Sequence, residues 1–173
     1  VIANDLSNQK VTAIAEDTQG HIWIGTFRGL NKNNVHDYHQ YFCTDDSLGL
    51  PDNQITHLLR DSKNRFWVGT VNGVCLYTDK DNFRIIPIEA DNKNVRQILE
   101  DRNGRIFLNT GFQLYAYHPR EEKITCVLPE ISPGNAFYAQ CHIAPDNNLW
   151  VMTSTGLRCY DLSTCLLYTS DAA

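Results

Sequence analysis

Asp17-Thr18-Gln19-Gly20-His21-Ile22-Trp23-Ile24-Gly25-Thr26 returns 44 residues later as Asp61-Ser62-Lys63-Asn64-Arg65-Phe66-Trp67-Val68-Gly69-Thr70. A third copy runs from Asp101 to Thr110 and reads Asp-Arg-Asn-Gly-Arg-Ile-Phe-Leu-Asn-Thr. A weaker fourth occupies Ala144 to Thr153. The large aromatic falls at Trp23, Trp67, Phe107 and Trp150, so the steps are 44, 40 and 43 residues. Twelve residues before each aromatic stands Val11, Ile55, Val95 or Tyr138, and nine before it Ile14, Leu58, Ile98 or Cys141. Self-similarity at this period is the signature of a repeat architecture.

Each copy reads as four short strands. Val11–Glu16, Ile55–Arg60 and Val95–Glu100 alternate as first strands. A tight turn follows, opened by an Asp that can accept hydrogen bonds from the turn backbone. Gly20, Asn64, Gly104 and Asn147 then stand three residues before the aromatic, and Gly and Asn best tolerate the positive φ such a turn demands. The second strand, Ile22–Thr26 and its equivalents, carries the aromatic. After another Gly (Gly29, Gly73, Gly111, Gly156) comes a third strand such as Val74–Tyr77 or Leu157–Tyr160. A more variable fourth spans roughly 38–42, 83–88 and 123–128.

Four antiparallel strands in 40–44 residues is the arithmetic of a β-propeller blade. No sustained 3.6-residue apolar period supports helical repeats. The paired glycines of kelch blades and the Trp-Asp ending of WD40 blades are missing. The expected fold is therefore all-β, a propeller fragment of about four blades near 6–48, 49–90, 91–132 and 133–164, the last incomplete. Residues 165–173 resemble the translation of a transposon-end sequencing adapter, and the chain opens at Val1 without a signal segment. Both ends give the expectation of a piece cut from a longer chain and a larger ring.

Composition narrows the function classes. The 173 residues are 42% hydrophobic and 20% charged with a net charge of −5, which excludes disorder and argues against a nucleic-acid partner. The longest apolar runs, about four residues, fall far short of the ~20 that cross a bilayer. Six cysteines form no C-x-x-C or Cys/His zinc pattern. They read as small hydrophobes in strands. Asp79-Lys80-Asp81-Asn82 begins like a calcium loop, but Arg84 and Ala90 stand where Gly and Glu are required, so the motif is rejected. No metal, cofactor or catalytic residue is expected.

Residues 11–31 and 54–74 resemble the two-component regulator propeller repeat, as does the linker Leu50-Pro51-Asp52-Asn53-Gln54. The resemblance is weaker in the third copy, where Asn109 replaces Gly69, and in the fourth, where Ala144 and Met152 replace the turn Asp and the motif Gly. It implies the periplasmic sensor of a hybrid two-component regulator, with a seven-bladed ring ahead of a membrane-anchored histidine kinase. It also implies oligosaccharide ligands and a homodimeric full-length form. A catalytic alternative is a propeller lyase or hydrolase; another is a structural, protein-binding propeller.

The conspicuous aromatics are expected to pack blade on blade, since each repeat must bury its faces against its neighbours. Ligand contacts are expected instead from the loops between second and third strands and those entering each blade. Phe27, Arg28, Asn53 and Asn72 offer the stacking and polar groups a carbohydrate uses.

Overall fold

A computed structural model describes residues 6–34, 38–43, 49–78, 81–129, 131, 140–153, 156–164 and 166–167. Tyr138 of the repeat pattern and the tail outside 166–167 lie outside the described residues. The chain forms four antiparallel sheets of four strands, each a meander. Sheet one holds β1 (Val11–Glu16), β2 (Ile22–Thr26), β3 (Gly29–Asn33) and β4 (Tyr38–Tyr41). Sheet two holds β5 (Ile55–Arg60), β6 (Phe66–Thr70), β7 (Gly73–Thr78) and β8 (Asn82–Ile86). Sheet three holds β9 (Gln97–Glu100), β10 (Ile106–Asn109), β11 (Leu114–His118) and β12 (Lys123–Leu128). Sheet four holds β13 (Gln140–Ile143), β14 (Asn148–Thr153), β15 (Gly156–Asp161) and β16 (Leu166–Leu167). The first strands touch from sheet to sheet, β1 on β5, β5 on β9 and β9 on β13, so they line the centre of a propeller.

The predicted strands match closely, with two differences that have physical causes. β9 starts at Gln97, two residues later than expected, because Val95 is tied to the preceding blade. Its N–H donates to the Thr70 carbonyl at 3.0 Å, and its carbonyl accepts from the Thr56 hydroxyl. The fourth sheet does have an outer strand, a two-residue one in which Leu166 and Leu167 pair with Asp161 and Tyr160.

Three apolar cores fill the spaces between sheets rather than lying within them. Trp23 and Leu30 of the first blade are buried with Ile55, Leu58, Phe66, Val68 and Cys75 of the second. Trp67, Val74 and Leu76 meet Val95, Ile98, Ile106 and Leu108 of the third. Phe107 and Leu114 meet Cys141, Leu149 and Val151 of the fourth. The expected blade-to-blade role of the aromatics holds for Trp23, which lies 4.9 Å from Phe66 and 4.7 Å from Tyr77 between ring centres. It holds for Trp67 against Tyr117 as well. Gly25 makes the first junction possible: a Cβ there would stand 2.5 Å from Ile55 Cγ2.

The turn aspartates do more than cap their turns. Asp61 Oδ1 accepts from the N–H groups of Lys63 and Arg65 at 3.0 and 2.9 Å. Its Oδ2 accepts from Arg65 Nε at 2.6 Å and from the Trp67 indole at 2.8 Å. Asp17 repeats this clamp with Gln19, His21 and Trp23. Asp101 repeats it with Asn103 and Arg105, without an indole because Phe107 has none. One carboxylate thus ties turn and core aromatic together. Gly20, Asn64, Gly104 and Asn147 all have φ between 62° and 80°, as their residue types predict.

Candidate functional site

The blade meander creates two ends. The β1–β2 and β3–β4 turns and their equivalents form the Asp-turn end; the β2–β3 turns and blade entries form the loop end. At the loop end, Thr26 Oγ1 donates to the Gly29 carbonyl at 2.9 Å and accepts from Arg28 N–H at 3.1 Å. Thr70 does the same with Gly73 and Asn72. Each threonine locks a two-residue turn whose second tip residue, Arg28 or Asn72, is exposed. The entry segment of the second blade is laced between these tips. Gly29 N–H donates to the Asn53 carbonyl at 2.7 Å, and Val71 N–H to the Gln54 carbonyl at 3.2 Å.

Phe27, Arg28, Asn53 and Asn72 therefore share one end of the molecule at the junction of the first two blades. Arg28, Asn53 and Asn72 are exposed and Phe27 is half-buried. Two of the four already have partners that sequence did not reveal. Asn53 Oδ1 accepts from Cys43 N–H at 2.7 Å, which leaves its amide NH2 as the donor it could offer a ligand. Lys10 Nζ sits 3.8 Å from the centre of the Phe27 ring, a cation–π contact that occupies one ring face. In the fourth blade the corresponding turn includes residues 154–155, outside the described residues.

A cleft of about 550 Å³ opens at the other, Asp-turn end, again between the first two blades. Its floor is a cross-blade network. Lys32 Nζ donates to Tyr77 Oη at 2.9 Å and lies 3.4 Å from Asp81 Oδ1. The same oxygen accepts from the hydroxyls of Tyr41 at 2.7 Å and Tyr77 at 2.8 Å. Those hydroxyls hold the Asp81 carboxyl below its ordinary range against a smaller opposing effect of burial. Burial pulls the Lys32 ammonium down, but Tyr77 and Asp81 outweigh it and raise it overall. The cation also lies 5.2 Å from the Trp23 ring.

Sequence reading missed this network. In sequence Asp81 stands out only within the rejected calcium-loop motif, whose Asp79 and Lys80 lie outside the described residues. The available signal was Lys32 itself, a charge at the position that Leu76 and Ala116 fill in the next two copies. Gln19, Arg60, Asn64 and Thr78 also line the cleft, which offers donors and acceptors of both signs.

Among the described residues, no group of three or more His, Cys, Asp or Glu side chains is placed to hold a metal ion. The turn aspartates are buried and their oxygens accept the bonds given above, so they are structural acceptors. Cys75 and Cys141 lie in strands, as expected, and are buried in the cores, where burial pushes the Cys141 thiol up to about 12. Cys126 also lies in a strand, on the outward side of β12, whereas Cys43 is exposed and falls outside any strand, a departure from the strand reading.

Comparison with known proteins matches two of the repeats to a family model. The two component regulator propeller model matches residues 5–28 and 49–72, the spans that hold Trp23 and Trp67 and all four loop-end residues. Two stretches of the chain, in its first and second blades, match that repeat. The third and fourth blades lie outside the matched spans, in line with Asn109 and Met152 in the motif. No curated protein matches.

Among solved structures, the extracellular domain of a protein named as a hybrid two-component system from B. thetaiotaomicron has a TM-score of 0.77 at 23% identity. The likeness covers 96% of this chain and 22% of that one. A second such extracellular domain from the same organism scores 0.67 at 17% identity, over 94% of this chain and 30% of that one. Virginiamycin B lyase from Staphylococcus aureus scores 0.69 at 19% identity, over 91% of this chain and 55% of that one. At these identities the likeness is one of fold, and the chain spans about a fifth to a third of the two-component proteins' domains.

Proposed function

We propose that this chain is part of a non-catalytic, ligand-sensing propeller of a hybrid two-component signalling protein, exposed to the periplasm and detecting oligosaccharides released from polysaccharides. The observation that carries the reading is the regulator-propeller repeat itself, matched at 5–28 and 49–72. The likeness to extracellular domains named for two-component systems supports an extracytoplasmic place. No helix among the described residues is long and apolar enough to cross a membrane. In this reading Arg28, the Asn53 amide, Asn72 and the open face of Phe27 contact the sugar. Binding biases the packing of a homodimeric sensor, and the rest of the propeller passes that bias to a membrane-anchored kinase.

The test is a glycan array followed by calorimetry on the chain, with Arg28→Ala and Asn72→Ala combined in one variant. The expected result is an oligosaccharide whose affinity falls at least about tenfold in the variant, roughly 1.4 kcal/mol. Equal binding by the variant removes the assignment of these residues, and no glycan bound at millimolar concentration removes the sugar reading.

The likeness to virginiamycin B lyase motivates one catalytic alternative. Turnover of virginiamycin B by the chain would replace the sensing reading with a lyase. A stable protein partner without any small-molecule ligand would favour an interaction propeller instead.

A further inference from the structure

At its Asp-turn end the second junction holds a carboxylate that the first junction lacks. Between the second and third blades, Glu100 reaches back to the turn opened by Asp61. Ser62 N–H donates to Glu100 Oε1 at 3.0 Å and to Oε2 at 2.9 Å, and the Ser62 hydroxyl donates to Oε1 as well. The repeat places Thr18 at the Ser62 position, directly after the turn aspartate, and Arg60 at the Glu100 position, directly before the next one. Between the first and second blades the same donors, a turn N–H and a hydroxyl, therefore meet a guanidinium in place of a carboxylate. Arg60 Nη1 donates a long bond, 3.4 Å, to the Asp17 carbonyl. The third junction carries Arg102 and Ile143 at these two positions. Thr18 and Arg60 are exposed and line the cleft of about 550 Å³. The other charges of that cleft are committed, Lys32 to Tyr77 and Asp81, and Asp17 to its turn and the Trp23 indole. Among the described residues Arg60 has no ionic partner.

We infer that the first-junction cleft binds a small hydroxylated carboxylate, whose carboxylate takes the place that Glu100 fills at the second junction. Its oxygens accept from the Thr18 N–H and hydroxyl and pair with the Arg60 guanidinium, whose planar fork suits a carboxylate. A carboxylate alone fills a small part of the cleft. The remaining lining, with Gln19, Asn64, Tyr77 and Thr78, offers the amides and hydroxyls that bind hydroxyl groups. The site lies at the opposite end of the blades from Phe27, Arg28, Asn53 and Asn72, and it stands independently of the sugar reading proposed for them.

Amide NMR on the isotope-labelled chain tests it, with titrations of glucuronate and, separately, of glucose as its neutral twin. Glucuronate is expected to shift the Thr18 amide saturably, and glucose to leave it in place. Arg60→Gln is expected to weaken glucuronate at least about tenfold. Arg60→Glu is expected to abolish binding and to move the Thr18 amide of the free chain as glucuronate does, because the new side chain supplies the carboxylate in the manner of Glu100. Arg60 is exposed, so both variants keep the native far-ultraviolet circular dichroism. Arg28→Ala combined with Asn72→Ala is expected to leave the Thr18 response unchanged, so this site and the loop-end reading fail separately. The absence of a saturable shift at Thr18 overturns the inference. An equal response to glucose, or glucuronate binding untouched by Arg60→Glu, overturns it as well.

Discussion

Asp61 shows how much one side chain carries. Its two oxygens hold two turn N–H groups, a guanidinium and the Trp67 indole, and it is 3% exposed. Charge-assisted bonds contribute ~1.5–3 kcal/mol each when lost, and the part-buried Arg65 guanidinium loses its partner as well. Asp61→Ala is expected to lower unfolding free energy by about 3 kcal/mol, read from urea midpoints at unchanged slope. The same change at Asp146, an exposed residue bonded to Asn148, is expected to cost well under 1 kcal/mol, roughly the surface value.

Acid should act through two carboxylates of the first junction. Burial raises Asp17, but bonds from Trp23, His21 and Gln19 outweigh it and hold the carboxyl below its ordinary 3.8. Asp81 is likewise lowered, chiefly by Tyr41. A depressed folded-state value means stability that is present above 3.8 and lost as pH falls through the lower, folded value. Thermal melts are expected to be flat in this respect near neutrality and to fall below pH 4, and Asp17→Asn should be less sensitive there than wild type.

At the scale of strands, the decisive contact is the approach of Ile55 to Gly25. A Cβ at Gly25 meets Ile55 Cγ2 at 2.5 Å, well inside any real contact. Gly25→Ala is expected to cost ~1–3 kcal/mol by overpacking. Adding Ile55→Ala should make the pair less costly than the sum of the singles, because the second change clears the clash. A purely additive double-mutant cycle would show that the glycine is kept for another reason.

Lys32 gives a second test at this scale. Its neighbour Asp81 keeps a half-exposed side chain, so removing the cation does not strand a buried anion. Lys32→Leu, which copies Leu76 of the next blade, is expected to change stability by less than about 1 kcal/mol in denaturant titrations. A much larger loss would show that the network is essential to the junction.

For the whole molecule, stability lies in the three junctions rather than within any sheet, as expected of stacked repeats. Its three tryptophans report on this directly. Trp23 and Trp67 are closed in junctions, while Trp150 faces outward. Iodide is expected to quench only the Trp150 share of the fluorescence, and quenching of all three tryptophans would show that the junctions are open.

The repeat length, nearly every strand position, the positive-φ turn residues and the burial of Trp23 and Trp67 were legible in the sequence. Each depends on a pattern within one repeat, and repeated copies confirm one another. The loop-end grouping of Phe27, Arg28, Asn53 and Asn72 was legible for the same reason, since blade topology sends those turns to one end. Only the tertiary structure decided that Asn53 Oδ1 and one face of Phe27 are engaged, and that Lys32 reaches Tyr77 and Asp81, 45 and 49 residues away. It also decided that Trp150, the same residue type at the same repeat position as Trp23, is open rather than buried. A repeat specifies which face is apolar; whether that face is covered depends on the neighbour that meets it.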